Sequence, residues 1–164
     1  ADLSNPKIIT ELFDRVEKTV GPVDILVNNA AYCLADTFLP QKPGEKTIAA
    51  DGFYVTNTVS AESFEKHFAV NSRAVALLIA EYAKRYIARK AQWGRIISMS
   101  TDGDDAFPTE ISYGASKAAL VAYTRSAALE LGPLGVTANI VSLGPVQTGW
   151  ISPEMEKDML PSNP

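Results

Sequence analysis

Apolar positions recur at helical spacing from residue 5 to 20, where Ile8, Ile9, Leu12, Phe13, Val16 and Val20 fall on one face. Ser4 and Pro6 make a start for this helix, and Gly21-Pro22 a stop. A short continuous apolar run follows, Asp24 to Val27, which reads as a strand buried on both faces and ends at Asn28 and Asn29. From Ala31 to Ser60 no period is sustained. Pro40, Pro43, Gly44 and Gly52 punctuate a stretch long for a loop, which reads as a functional or peripheral insertion. Ser60 caps the next helix, along which Phe64, Phe68, Asn71, Val75, Leu78 and Tyr82 step by fours and threes to about Lys90. Gly94 opens a second buried strand over Arg95 to Ser100, and a polar loop runs from Thr101 to Glu110. An alanine-rich helix covers about Ser112 to Leu131, closed by Gly132-Pro133, and a third strand runs from Val136 to Ser142. The tail from Gln147 to Pro164 reads as a mobile helix or loop. Alternating helices and strands are the signature of a parallel sheet with helices on its faces, an α/β, doubly wound fold.

Composition narrows the class. The chain has 164 residues, close to the roughly 150 of one domain. With 46% hydrophobic and 21% charged residues it is an ordinary globular sequence, not a disordered or fibrous one. The longest apolar run, Ala74 to Ala80, falls far short of the ~18 residues needed to span a bilayer. No basic-then-apolar leader opens the sequence, so a soluble, cytoplasmic protein is expected. A net charge of −4 with no stripe of cations disfavours nucleic acid. One cysteine, Cys33, excludes an internal disulfide, and with a single histidine, His67, a Cys/His zinc site within the chain is ruled out.

The sharpest chemical feature is Tyr113 and Lys117. Spacing i, i+4 on a helix puts phenol and ammonium on one face. A free tyrosine, with a pKa near 10, is a poor base at neutral pH, and a nearby cation favours its phenolate. Taken alone, the pair also fits an aromatic and a solvated lysine on a surface helix. Ser100 and Thr101 stand at the end of a buried strand, where ligands of open parallel sheets bind. Asn71 interrupts an apolar helix face, so its carboxamide must satisfy neighbouring backbone or hold an ordered water. Asn28, Asn29, Ala30 and Ala31 follow another strand, with small residues that permit close approach to a flat ligand. After the third strand, Gly144-Pro145 and Thr148 offer backbone donors and a hydroxyl. His67 reads as a partly exposed helix residue, Cys33 as a small apolar one, and Asp102, Asp104 and Asp105 as a solvated acidic loop.

In this order the segments ADL, VDILVNNAA, HFAVN, GRIISMS, YGASKAAL and VTANIVSLGPVQT resemble the short-chain dehydrogenase/reductase family, nearest its 3-oxoacyl-(acyl-carrier-protein) reductase-like branch. The resemblance extends over nearly the whole chain. It implies a Rossmann-like fold and an NAD- or NADP-dependent oxidoreductase that interconverts a carbonyl and a secondary alcohol. By the same resemblance Tyr113 is the acid/base, Lys117 lowers its pKa and binds the nicotinamide ribose, and Asn71 positions a relay water. Asp2 and Leu3 match an adenine-contacting pair, and Asn28, Ala30 and Ala31 the segment beside the adenosine ribose. Gly144, Val146 and Thr148 match positions near the nicotinamide and phosphates. Counting from Gly94 selects Thr101 as the hydroxyl that polarises the substrate, and counting back from Tyr113 selects Ser100; strand register is the stiffer ruler and leans to Thr101. The resemblance further implies a homodimer or homotetramer through helices 61–90 and 112–131.

The sequence departs from the family's pattern in four places. Ala31 replaces the usual glycine, Leu143 a usual proline, and residues 32–59 form a longer insertion. No G-x-x-x-G-x-G or G-x-G-x-x-G turn occurs, so residues 1–164 read as a partial dinucleotide-binding domain with a substrate-loop region over 145–164. The other reading is a non-catalytic fragment or oligomerisation module of such an enzyme, which cofactor titration separates from a working one.

Overall fold

The computed structural model describes residues 1–40, 47–48, 55–102, 106–144, 146, 151 and 153. Helix α1 spans Ile8–Val20, later than the expected start at residue 5. The side chains of Asp2 and Asn5 accept the amides of Ser4 and Lys7 at 2.9 and 3.0 Å, local turn bonds that compete with the helix. Strand β1 follows at Ile25–Asn28. The stretch expected to be irregular instead builds a small sheet from β2 (Asp36–Thr37), β3 (Thr47–Ile48) and β4 (Val55–Thr58), in the order β2-β4-β3. Strands this short leave no periodic signal, which is why the pattern missed them.

Helix α2 (Ala61–Phe68) begins where Ser60 predicts, and Ser60 and Ser63 complete a reciprocal capping box. A π-helical turn, Ala69–Ala74, joins it to α3 (Val75–Ala88), so the single helix predicted to Lys90 is continuous but underwound around Asn71. Strand β5 is Gly94–Thr101, helix α4 Ile111–Leu131 and strand β6 Val136–Leu143. The main sheet has the order β1-β5-β6, all parallel, with Asn28 beside Ser98 and Thr101 beside Leu143.

One core lies on one face of this sheet. Ile9 and Phe13 of α1, Leu78, Tyr82 and Tyr86 of α3, Ile96 of β5, Leu120 and Val121 of α4 and Val136 of β6 share it. Tyr82 and Tyr86 donate their hydroxyls to the carbonyls of Asp24 and Leu134, fixing the amino-terminal edge of the sheet. The opposite face differs from expectation: Ile25 and Val27 are 51% and 52% exposed, although their run reads as buried on both sides. Among the described residues the helices share a single core, so half of a doubly wound arrangement is present. No helix among the described residues is long and apolar enough to cross a membrane.

Candidate active site

Because β1, β5 and β6 run parallel, their carboxyl ends open on one edge, and α4 starts at that edge. This brings Asn28, Ser100, Thr101, Tyr113 and Lys117 to one end of the molecule. The π-helical turn adds Asn71.

Tyr113 and Lys117 share the sheet-facing side of α4. Lys117 is buried and donates from Nζ to the Met99 carbonyl at 2.7 Å, with Nζ 5.6 Å from the centre of the Tyr113 ring. Burial lowers the lysine's pKa. Tyr113, half-buried and edge-on to Phe107 at 5.7 Å, has its phenol pushed up to about 12. Burial is the main cause, with the charges of Cys33, Glu110 and Asp102 adding to it. In the chain by itself the phenol therefore moves opposite to the depression expected from Lys117, whose ammonium is tied to the strand carbonyl. Cys33 is exposed as a residue, but its sulfur lies 3.6 Å from Glu110 Oε1. Desolvation of the sulfur and that carboxylate raise the thiol to about 12, which keeps it protonated at neutral pH.

The two candidate hydroxyls at the exit of β5 differ. Ser100 alternates onto the side that carries Ser98, beneath α4, and its oxygen is buried with no partner among the described residues. Thr101 falls on the other side, and its hydroxyl donates to Asp102 Oδ1 at 3.3 Å. Asn28 donates to Ser98 Oγ at 3.2 Å, tying β1 to β5, while its own Oδ1 has no partner among the described residues.

Asn71 is fully buried. Its Oδ1 accepts the Tyr32 amide at 2.8 Å, and its Nδ2 donates to the Tyr32 carbonyl at 2.8 Å and to Ser116 Oγ at 2.9 Å. The side chain satisfies neighbouring backbone, one of the two roles open from sequence. His67 departs further from expectation: it is fully buried rather than partly exposed. Its Nε2 accepts the Leu34 amide at 3.1 Å, so the hydrogen sits on Nδ1, which donates to the Ser63 carbonyl at 2.6 Å. An extended segment threading past α2 covers the ring, and helix periodicity carries no sign of such a segment.

Sequence reasoning missed Asp36, Ser72 and Ser116. Ser72 Oγ donates to the Ser116 carbonyl, locking the π-helical turn to α4. Asp36 is 1% exposed and accepts from Ser112 N and Ser63 Oγ. Its only signal was a carboxylate among small and apolar neighbours.

Of the residues assigned to a dinucleotide by resemblance, Asp2, Ala30, Ala31, Gly144 and Val146 are exposed and Leu3 is half-buried. Thr148, like Asp104 and Asp105 and nearly all of the tail, lies outside the described residues. The partnerless Ser100 oxygen and the buried Lys117 fit the nicotinamide half of such a cofactor, and the partnerless Asn28 oxygen with the open small residues beyond β1 fits its adenosine half. The pyrophosphate grip is a different matter, since the sequence contains no glycine-rich turn.

Residues 1–160 match the family model described as Enoyl-(Acyl carrier protein) reductase. An uncharacterized oxidoreductase, YjdA, of Bacillus subtilis is 33% identical over 165 residues, covering 99% of this chain and 58% of that protein. Human L-xylulose reductase is 35% identical over 156 residues, covering 92% of this chain and 56% of that protein. A solved 4-hydroxyisoleucine dehydrogenase, complexed with NADH and succinate, superposes with a TM-score of 0.70 at 29% identity, over 87% of this chain and 53% of that one. The chain thus spans little more than half the length of these relatives.

Proposed function

The chain belongs to the short-chain dehydrogenase/reductase family, and on that premise we propose that its protein is an NAD- or NADP-dependent oxidoreductase interconverting a small carbonyl compound and its secondary alcohol. The observation that carries this reading is the arrangement of Tyr113 and Lys117 on one face of α4, at the carboxyl ends of three parallel strands. When bound, the nicotinamide cofactor supplies or takes the hydride.

The chain's own groups do the rest. With its pKa near 12 the Tyr113 phenol is protonated at neutral pH, so it enters a reduction as the proton donor to the carbonyl oxygen. Thr101, on the last residue of β5, orients that oxygen; Ser100 lies on the face turned beneath α4. Lys117, anchored on Met99, holds a positive charge within reach of the phenol and a ribose hydroxyl. Asn28, Ala30, Ala31, Asp2 and Leu3 line the adenosine side, and Gly144 and Val146 the nicotinamide and phosphate side. A copy of the same chain would dock on the outer faces of α2, α3 and α4, where Phe64, Leu77 and Tyr123 stand exposed.

The test uses the full-length protein with NADPH or NADH and L-xylulose, followed by nicotinamide absorbance. Tyr113→Phe should cost 10²- to 10⁴-fold in kcat while dinucleotide affinity stays within about twofold. Residual activity near wild type would sink the assignment, and a folded protein that binds neither dinucleotide would favour a non-catalytic module.

A further inference from the structure

Three buried polar side chains clamp the extended segment that leaves β1. Asn71 holds both backbone groups of Tyr32, His67 holds the Leu34 amide, and the third clamp comes from the segment itself, through Asp36. The Asp36 carboxylate reaches two helices at once. Oδ2 accepts the hydroxyl of Ser63, in the capping box of α2, at 3.0 Å, and Oδ1 accepts the Ser112 amide, in the first turn of α4, at 2.8 Å.

Helix α4 needs that acceptor. Its N-cap residue, Glu110, makes no side-chain capping bond, so the amides of its first turn must be satisfied from elsewhere. Asp36 meets the need from 76 residues away along the chain, and a backbone bridge between Asp36 and Glu110 reinforces the junction. The carboxylate has no salt bridge among the described residues, and the positive ends of two helix dipoles compensate its burial. Ser112 immediately precedes Tyr113. Whatever fixes the Ser112 amide fixes the height of the Tyr113 phenol above the strand exits.

We propose that Asp36 is a positioning residue for Tyr113: a tertiary N-cap through which the extended segment around Asp36 sets the placement of the proton donor. The inference rests on the acid/base reading of Tyr113. Asparagine at position 36 can keep the geometry, because its Oδ1 can accept the Ser112 amide and its Nδ2 can donate to Ser63 Oγ. Alanine can do neither.

The experiment compares Asp36→Ala, Asp36→Asn and Ser63→Ala in the full-length protein by amide hydrogen exchange and by NADPH- or NADH-dependent turnover of L-xylulose. In Asp36→Ala, exchange at residues 107–114 should speed up at least tenfold. The kcat of this variant should fall about 30-fold or more, since a misplacement near 1 Å costs about 10²-fold, with dinucleotide affinity unchanged. Asp36→Asn should stay within threefold of wild type on both readouts with an unshifted pH profile, and Ser63→Ala should keep its kcat. Adding Asp36→Ala to Tyr113→Phe should cost no further activity. Unchanged exchange in Asp36→Ala would overturn the proposal, even if no turnover of the probe is detected. An Asp36→Asn variant that loses tenfold or more with a shifted pH profile would also overturn it, because the charge and not the cap would then be at work. If Tyr113→Phe is active, the functional reading fails; if Tyr113→Phe is dead and Asp36→Ala is fully active, only this inference fails.

Discussion

Replacing Asn71 by alanine tests whether its carboxamide is a structural latch. The substitution removes three hydrogen bonds at once, two to the backbone of Tyr32 and one to Ser116 Oγ. The losses are unequal. Ser116 still donates its own hydroxyl to the Tyr113 carbonyl at 2.7 Å, so that group keeps one partner. Tyr32 is half-buried, and water recovers part of what its amide and carbonyl lose. Counting ~1 kcal/mol for each Tyr32 group and ~1 for the cavity left at a fully buried position gives a destabilisation of about 3 kcal/mol. For a domain of this size that is a fall of roughly 6–12 °C in Tm. Urea unfolding of the full-length protein, with Asn71→Asp beside it, is the assay. The aspartate keeps the acceptor for the Tyr32 amide but loses both donors and sets a carboxylate against the Tyr32 carbonyl, so it should be no less damaging. A loss below about 1 kcal/mol in Asn71→Ala would refute the latch.

Lys117→Met should raise Tm at pH 7 while abolishing turnover, because burial disfavours the ammonium that function requires. The sign of its pH dependence follows. A lysine whose folded pKa lies below its unfolded value costs stability in full at low pH, and the cost is relieved as pH rises through the folded pKa. The variant's advantage should therefore shrink with rising pH, and a constant or growing advantage in thermal melts between pH 7 and 10 would contradict it. At the exit of β5, Thr101→Val should lower kcat about 10²- to 10³-fold, the usual loss for an oxyanion donor, and Ser100→Ala less than threefold. The reverse order in steady-state kinetics would move the polarising role to Ser100.

Elements whose signal is local could be read from the chain. The Ser60 cap, the Tyr113–Lys117 spacing and the glycine and proline stops after α1 and α4 each lie within a few residues, and each sits where the pattern puts it. The missed features are pairings between residues far apart in sequence. His67 looks like a surface residue on its own helix and is buried by the segment around Leu34, 33 residues earlier. Exposure of Ile25 and Val27 was equally illegible, because a run of apolar residues does not say whether a layer lies on each side. The choice between Ser100 and Thr101 turns on which side of β5 each falls, and counting along a sequence with one loop residue fewer leaves that open.

The distribution of buried polar groups explains why the site end resists sequence reading. Toward the amino-terminal ends of β5 and β6 the interior is apolar and aromatic, with Ile96, Val136, Tyr82 and Tyr86 packed together. Toward their carboxyl ends Ser98, Ser100, Thr101, Ser112, Ser116 and Lys117 replace that core, joined by Asp36, His67 and Asn71. Apolar burial is non-directional and tolerates small shifts, whereas a hydrogen bond fixes distance and angle. Building the functional end from directional contacts trades generic stability for placement. The contacts converge on two things, the first turns of α4 and the segment leaving β1, and these are what a proton donor and a flat ligand would need held still. A polar residue in an apolar pattern is thus the most informative mark this sequence carries: Asn71 showed it on a helix face, and Asp36 carried it unread beside Ala35.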